Sequence, residues 1–595
     1  MSALIRFRVS VPNPHNHLLH IRLEIEGLGE VESVDLCMPV WSPGSYLVRE
    51  YARHVQNLRA TDTDGDRRRV RKLDKATWRV DASNRAAVVV EYEVFAHDLN
   101  VRGNHVDDTH AFFNGVSTYL YPRGRAGEEV EVEIIPPEGF GWDIYTGLES
   151  LGVSQQRFRA PDFDTLFDCP VHMGVHRPLA FEVEGKSHQM IFWGDSNIDR
   201  DALSEDLPKI VQANRAVFGE LPYEDYLFIT LCGDTGGGGL EHRNSTALLY
   251  ARHNFRRGDK PGSREDGYLD FLRLVCHEHF HAWNVKRIRP AVLGPFDYQN
   301  ENYTRDLWTV EGVTSYYDTL GLLRAGFLDA NAYLERFLAS LHRYEQIPGR
   351  FQQSLEDASF DAWIKLYRPD ENTINSTVSY YLKGELICVL LDLKIRVETG
   401  AKYSLDTVLL HLWEHYYQTD GSGYPEGGYA QIILDATGVD VEDFFNSYIR
   451  GVDPINWERY LTPMGLEMER VCTAAHKGWL GAKTSNEDGA LRVISVPTGC
   501  PAQAGGIYAG DEIIALDGAK VTGENFAQRL ADKSPGSPVR IHVFRRGVLH
   551  DLTLELGTPP ADTYRIRTRE DASEAARQAL HAWLGSDDIA AEFVG

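Results

Sequence analysis

Along the first 175 or so residues, apolar and polar positions alternate with a period of two. Runs such as LLHIRLEIEG, AAVVVEYEVFA and EVEVEIIPP are short, rich in Val and Ile, and bounded by Gly, Pro or Asp, which predicts half-buried strands. A β-sandwich or an open, saddle-shaped sheet is the simplest packing for them. After about residue 200 the period lengthens: DALSEDLPKIVQANRAVFGE predicts a helix, YLFITLC a buried strand ending at Gly236–Gly239, and STALLY another strand. Helical spacing dominates from Asp266 to about Tyr460. It is clearest in LDFLRLVCHEHFHAWNVKRI, where Phe271, Leu274 and Val275 are spaced to bury one face. Near residue 470 strands return, in LRVISV, DEIIALDG, VRIHVFRRG and HDLTLELG, around one helix, ENFAQRLADK. In the final 35 or so residues Ala576, Leu580, Trp583 and Leu584 form an apolar stripe, which predicts a helix docked on a neighbouring domain. The chain therefore reads as multidomain α+β. Its segments are a β-rich 1–175, a mainly helical 176–468, a small β-barrel-like module at 469–557 and a helical tail at 558–595.

Composition narrows the partners. The 595 residues are 43% hydrophobic and 25% charged, enough apolar material for several cores. Lys plus Arg number 61 against 87 for Asp plus Glu, a formal charge of −26, and such a surface repels nucleic-acid phosphates and anionic lipid. No run approaches the ~18 apolar residues of a membrane span. The opening MSALIRFRVSVPNPHNH is broken by Arg6 and Arg8 and lacks a secretory core, so a cytoplasmic location is expected. The seven cysteines are scattered without a C-x-x-C pair, against both a disulfide framework and a cysteine zinc cluster.

The chemistry concentrates in His277-Glu278-His279-Phe280-His281, an H-E-x-x-H. On a helix, residues i and i+4 share one face, so His277 and His281 can converge on a zinc ion. Glu278 follows the first ligand, where its carboxylate reaches a water held by the metal. His279 lies about 200° around the helix, away from the other two, and is expected to pack. Glu311, inside the apolar LWTVEGVTSYY run, calls for a partner and is the candidate third ligand. Two His and one Glu leave a fourth position open, which is a catalytic rather than a structural arrangement. One zinc per chain is expected.

The H-E-x-x-H followed by W-x-x-E-G-x-x-x-Y resembles the gluzincin metallopeptidases, including aminopeptidase N. The closer resemblance is to the glycyl aminopeptidase family, carried by Trp41-Ser-Pro-Gly-Ser-Tyr46, His281-Ala-Trp-Asn-Val-Lys-Arg-Ile-Arg-Pro290 and the C-terminal third. That resemblance implies a β-rich N-terminal domain, a thermolysin-like catalytic domain and a PDZ domain. It also implies cleavage after small N-terminal residues, Gly or Ala. The segment Ser379-Tyr380-Tyr381-Leu382-Lys383-Gly384 is similar to the Y-x-K-G stretch of aminopeptidase N, which assigns oxyanion stabilisation to Tyr381, with Tyr380 one position away. Gly236-Gly237-Gly238-Gly239-Leu240-Glu241-His242 is similar to its G-x-M-E-N segment, which makes Glu241 the amine anchor, with Leu240 for Met and His242 for Asn. Glycines at 238 and 239 let backbone approach a substrate closely, and an edge strand there can pair with a peptide. The role of His242 stays open. The insertion PFDYQNENYTRD ahead of Glu311 is loop-like and is placed near the active site.

In the last third, Lys477-Gly-Trp-Leu-Gly481 and Cys500-Pro-Ala-Gln-Ala-Gly followed by G-D-E-I-I-A-L-D-G look like a bacterial-type PDZ domain. Amides of the Trp479-Leu480-Gly481 loop are then candidates to bind a peptide or protein C-terminus. The leading reading is a zinc aminopeptidase acting on peptides with a free N-terminus. The alternatives are a zinc endopeptidase, for which Glu241 is dispensable, and a PDZ-bearing binding protein with an inactive peptidase domain.

Overall fold

A computed structural model describes residues 5–152, 156–257 and 267–595. Asp266, where helical spacing was expected to begin, lies outside them. The chain divides into two compact units, residues 1–303 with 412–425, and 304–411 with 426–595.

The first unit begins with the alternating strands. Leu18–Glu26 buries every second side chain, pairs antiparallel with Ile5–Ser10 and Ala87–Phe95, and lies near the middle of an eight-stranded sheet. Two four-stranded sheets complete the β-rich region. One contains Ser33–Cys37 and Thr77–Asp81, the other His105–Val106, His110–Phe113 and Val171–Gly174.

A five-stranded sheet follows. Lys186–Trp193, Asp225–Gly233 and Ser245–Ala251 run parallel, and Gly237–Glu241 turns back antiparallel at one edge. The helix Arg200–Phe218 makes the crossover between the first two. Asp199 caps its N-terminus by accepting from the Ala202 amide, and Gly219, at φ +86°, ends it. The motif helix spans Gly267–Phe280. Phe271 and Val275 are fully buried as the spacing predicts, whereas Leu274 is half-exposed and Leu272 takes its place inside. An edge-on ring contact of Phe271 with Phe255 and a tilted one with Tyr250 fix that face.

The second unit holds the long helices Val313–Arg324, Ala330–Glu345 and Tyr380–Glu398. The PDZ module orders its strands Lys483–Glu487, Ala490–Ser495, Glu512–Leu516, Pro538–Arg545 and Val548–Glu555 around a core of Leu491, Ile513, Ile541 and Val543. The tail differs from the helix expected there. Glu574–Leu584 is helical, with Ala576, Leu580, Trp583 and Leu584 buried, but it lies between two strands, Thr563–Thr568 and Ala590–Val594. These pair with each other, and the first also pairs with Leu466–Val471, a strand preceding the PDZ domain. A short strand at a chain end is stabilised by ladder partners distant in sequence, which local apolar spacing does not reveal. The helix does dock on its neighbour: Trp583 Nε1 donates to Tyr316 Oη at 3.1 Å, and Arg396 donates to the Ala582 carbonyl at 3.0 Å.

Candidate active site

On the motif helix, His277 and His281 turn their Nε2 atoms to within 3.2 Å of each other. His281 Nδ1 lies 2.6 Å from the Asn284 carbonyl. A carbonyl only accepts, so Nδ1 carries the proton and Nε2 is the unprotonated nitrogen that faces His277. A ring oriented through its other nitrogen and facing a second imidazole fits a metal ligand.

His279 faces the opposite way and is wholly buried. Asn214 donates to the Cys276 carbonyl at 2.9 Å and to His279 Nδ1 at 3.1 Å. His279 Nε2 therefore donates to Tyr223 Oη at 2.5 Å, and Tyr223 donates to His188 Nε2 at 3.0 Å. His188 ends the chain on the Lys186 carbonyl. Burial holds His279 well below the ordinary imidazole range, so this neutral chain is self-consistent. It bolts the back of the motif helix to the crossover helix and the sheet.

The edge strand supplies the other half of this unit's site. Gly239 and Glu241 stand two residues apart and share a face of the strand, while Leu240 points into the apolar core. A side chain at 239 would have its Cβ 2.3 Å from Glu278 Cδ, so the Glu278 carboxylate rests directly on the Gly239 backbone. Arg102 donates to the Gly239 carbonyl at 3.1 Å and holds the strand there. Glu241, Glu278 and His281 each bring a donor atom within 4.8 Å of the others, and all three are buried.

The Trp41–Tyr46 turn, which in the sequence carried part of the family resemblance, forms the far wall of the Glu241 seat. Gly44, at φ +83°, lies so close that a Cβ there would stand 2.4 Å from Glu241 Oε1. Trp41 Nε1 donates to the Asp297 carbonyl at 2.8 Å, and the Val40 amide to the Tyr298 carbonyl at 2.9 Å. The first part of the loop insertion thus braces this turn. Beyond Glu241 lies a cavity of about 20 Å³ lined by Gly44, Tyr46, His242, Arg289, Phe296 and Tyr298 among others. That is room for about one water molecule.

His242 turns to the far side of the strand. Its Nδ1 donates to Asp168 Oδ1 at 3.1 Å, and Lys286 Nζ lies 2.6 Å from the same oxygen. Burial alone would raise the Asp168 carboxyl, but Lys286 and His242 overcome it and hold it far below the usual carboxylate range. Asp168 also accepts from the Arg243 amide at 2.9 Å, so this buried ion pair fixes the chain just after Glu241. Sequence reasoning missed Gly44, Arg102, Asp168, Asn284 and Lys286. Of these, only Gly44, Asn284 and Lys286 sat inside motifs that had been singled out.

In the second unit Glu311 lies on a π-helical turn, Trp308–Gly312, rather than on the regular helix expected, and is buried. Such turns recur at functional positions because they re-aim one side chain. The reason for the glycine beside it is visible: a Cβ on Gly312 would lie 2.5 Å from Gly384 Cα, and one on Gly384 2.8 Å from Gly312 Cα. Two helices cross there backbone to backbone, which brings the W-x-x-E-G and Y-Y-L-K-G segments together. Tyr380 is fully buried, while Tyr381 is partly exposed and places its hydroxyl 3.3 Å from that of Tyr367. Burial, reinforced by the Glu311 charge, pushes the Tyr381 phenol well above its ordinary value, so it is a hydrogen-bond donor at neutral pH.

The PDZ loop departs from expectation at one residue. The Trp479 amide donates to the Gly557 carbonyl at 3.0 Å and the Trp479 carbonyl accepts from Gly557 at 2.9 Å. Its backbone is engaged within the fold and does not present an N–H to a carboxylate.

Three sequence profiles match: the peptidase M61 N-terminal domain over residues 6–175, the M61 glycyl aminopeptidase over 270–387 and the PDZ domain over 478–556. A solved aminopeptidase N family protein from Idiomarina loihiensis is 32% identical and superposes with a TM-score of 0.91, covering 98% of this chain and all of that one. The M1 zinc metallopeptidase of Deinococcus radiodurans is 12% identical with a TM-score of 0.47, covering 76% of this chain and 95% of that one. A probable periplasmic serine endoprotease, DegP-like, from Rhizobium meliloti (strain 1021) is 33% identical over 123 residues, 18% of this chain. The chain spans only 24% of that relative's length. Among the described residues, no helix is long and apolar enough to cross a membrane.

Proposed function

Because the chain belongs to the M61 glycyl aminopeptidase family and is a metallopeptidase, we propose that it is a zinc-dependent aminopeptidase releasing small residues from peptides with a free N-terminus. His277, His281 and Glu311 are assigned as the residues that hold the zinc. The unprotonated Nε2 of His281 and its convergence with His277 support this. Zinc, when bound, polarises the scissile carbonyl and acidifies water. Glu278 takes the proton of the attacking water and returns it to the departing amine. Tyr381, protonated at neutral pH, donates to the developing oxyanion; a donor of this kind is worth on the order of 10²–10³ in rate.

The observation that carries the exopeptidase reading is the seat of Glu241. Its carboxylate lies beside Glu278 and His281, where a substrate ammonium one residue from the scissile bond would be held. Gly44 is pressed against its other side. A peptide that continued past its first residue would run into that turn. A preference for Gly or Ala over larger first residues belongs to the same reading and is supported by the family that the chain matches. The edge strand Gly237–Glu241, half-exposed at Gly238, supports pairing with the substrate backbone. His242 serves by holding the end of that strand through Asp168, not by touching substrate.

The test compares Gly-anilide with its N-acetyl twin and with Leu-anilide on wild type and Glu241→Ala. Wild type should cleave only the free amines and favour Gly. Glu241→Ala should lose at least 10²-fold in kcat/KM on Gly-anilide. Cleavage of the acetylated substrate at a similar rate would establish an endopeptidase. The PDZ domain supports peptide binding as a second activity of the chain, through residues other than the Trp479 amide.

A further inference from the structure

The N-terminal region holds a row of histidines that the peptidase chemistry does not use. His176 Nδ1 lies 3.0 Å from the Phe192 carbonyl, and its Nε2 lies 3.0 Å from His172 Nδ1. His172 Nε2 lies 3.1 Å from His110 Nδ1, and His110 Nε2 lies 2.8 Å from His105 Nδ1. The carbonyl at one end fixes every proton. His176 must donate from Nδ1, so its Nε2 accepts from His172 Nδ1; His172 Nε2 in turn accepts from His110 Nδ1. His110 Nε2 is thereby left without a proton, aimed at the His105 ring. Both His110 and His172 are fully buried, and Trp193 stacks on His110 at 3.7 Å between ring centres.

We propose that His105, Asp107 and His110 form a second metal site, for a divalent first-row ion of the Zn²⁺ class, separate from the peptidase centre. Each offers one ligand atom, and the three atoms lie within 4.8 Å of one another. His110 Nε2 already has the form a ligand needs, with its other nitrogen bonded to His172, the arrangement that orients metal-bound imidazoles. His105 needs only a change of tautomer: its Nδ1 proton moves to Nε2, and the ring stays neutral. The 2.8 Å separation of the two nitrogens must open by about 0.4 Å to match the 3.2 Å between His277 and His281.

Asp107 is held in place across the tight connection between His105–Val106 and His110–Phe113. Its Oδ1 accepts from the Thr109 amide at 2.8 Å, from Thr109 Oγ1 at 2.6 Å and from the His110 amide at 3.2 Å. Trp193 Nε1 donates to the same Thr109 hydroxyl at 2.9 Å, closing the turn over the site. Two imidazoles and a carboxylate form a donor set that zinc accepts in tetrahedral geometry. A chain of net charge −26 favours a cation at such a position.

The experiment strips the full-length protein with a chelator, titrates it with Zn²⁺ alone and counts retained metal by mass spectrometry after gel filtration. Wild type should retain two ions per chain. His277→Ala, which removes a peptidase ligand, should retain one. Asp107→Asn keeps the acceptor for Thr109 while discarding the charged ligand. It should weaken the second site at least tenfold without moving Tm or Gly-anilide turnover. Co²⁺ at the second site should also quench a component of the fluorescence that disappears in Trp193→Phe. One ion in wild type with none in His277→Ala, or unchanged second-site affinity in Asp107→Asn, would show that the histidines are only a neutral hydrogen-bonded core.

Discussion

Replacing Gly239 with alanine tests whether the edge strand sets the position of Glu278, the proposed base. Gly239 does not sit in the left-handed region, unlike its neighbour Gly238 at φ +144°, so alanine is conformationally allowed there. The new Cβ would stand 2.3 Å from Glu278 Cδ and Oε1 and 2.5 Å from Cγ. Ordinary contact needs about 3.5 Å, and the strand is held by Arg102 and by its ladder to Ser245–Ala251. The carboxylate therefore retreats by roughly 1 Å. A reacting group misplaced by about that much loses on the order of 10²-fold.

Steady-state kinetics on Gly-anilide should show kcat falling about 10²-fold with KM little changed, and zinc content unaltered. A strand distorted away from the substrate would instead raise KM. The decisive comparison is a double-mutant cycle with Glu278→Ala, which removes all three atoms nearest the new methyl, Cγ, Cδ and Oε1. With those atoms gone the alanine at 239 has no carboxylate to displace, so Gly239→Ala/Glu278→Ala should be no slower than Glu278→Ala alone. Purely multiplicative effects, or a Gly239→Ala enzyme within about threefold of wild type, would refute the placement of Glu278 on the strand.

Three further outcomes are expected. Glu278→Gln should keep its zinc and lose about 10²–10⁴-fold in turnover; retention of most of kcat would remove Glu278 from the proton transfers. Tyr381→Phe should lower kcat by on the order of 10²–10³, whereas Tyr380→Phe, at a ring wholly inside the core, should change Tm more than rate; the reverse pattern would move the oxyanion role by one residue. Burial lifts the Asp306 carboxyl from 3.8 to about 7, although it accepts from the Gly427 amide at 2.8 Å. The folded state thus holds that proton more tightly than the unfolded chain. Its stabilising contribution is full below pH 3.8, declines as pH rises and is lost above about 7. Asp306→Asn should melt progressively higher than wild type between pH 4 and 7, with a difference on the order of a few kcal/mol; a pH-independent difference would reject the shift.

The elements that were legible are those whose signal is local. Period-two alternation located strands such as Leu18–Glu26, and an i, i+4 histidine pair on an amphipathic segment located the motif helix. The exclusion of His279 followed from helical geometry alone, and the structure gives it a full set of partners elsewhere. What stayed hidden depends on sequence-distant neighbours. Thr563–Thr568 is a strand because Leu466–Val471 and Ala590–Val594 flank it. Asp168, 74 residues before His242, carries no motif, and its lowered pKa arises only once Lys286 and His242 are folded against it. The Trp479 amide was read as available because a loop motif cannot show that Gly557 already accepts from it.

The glycines separate these two kinds of information. Gly239, Gly44 and the pair Gly312 and Gly384 were all visible inside motifs, yet sequence alone offered a reason only for Gly239, close approach to a substrate. In the fold, each meets protein. Gly239 carries the Glu278 carboxylate, Gly44 the Glu241 carboxylate, and Gly312 and Gly384 carry each other's backbone. Only Gly44 among them has a left-handed φ, so conformational freedom explains one of the four. For the others, the absence of a Cβ allows the Glu278 carboxylate or a crossing helix to come within about 2.5 Å of where that atom would be. Rate and specificity in this proposal thus depend on backbone surfaces as much as on the residues that bear the chemistry. Alanine at 239 and 44 should therefore have opposite kinetic signatures, with kcat falling in the first case and KM for free amines rising in the second. Identical signatures would mean that the two carboxylates are not positioned independently.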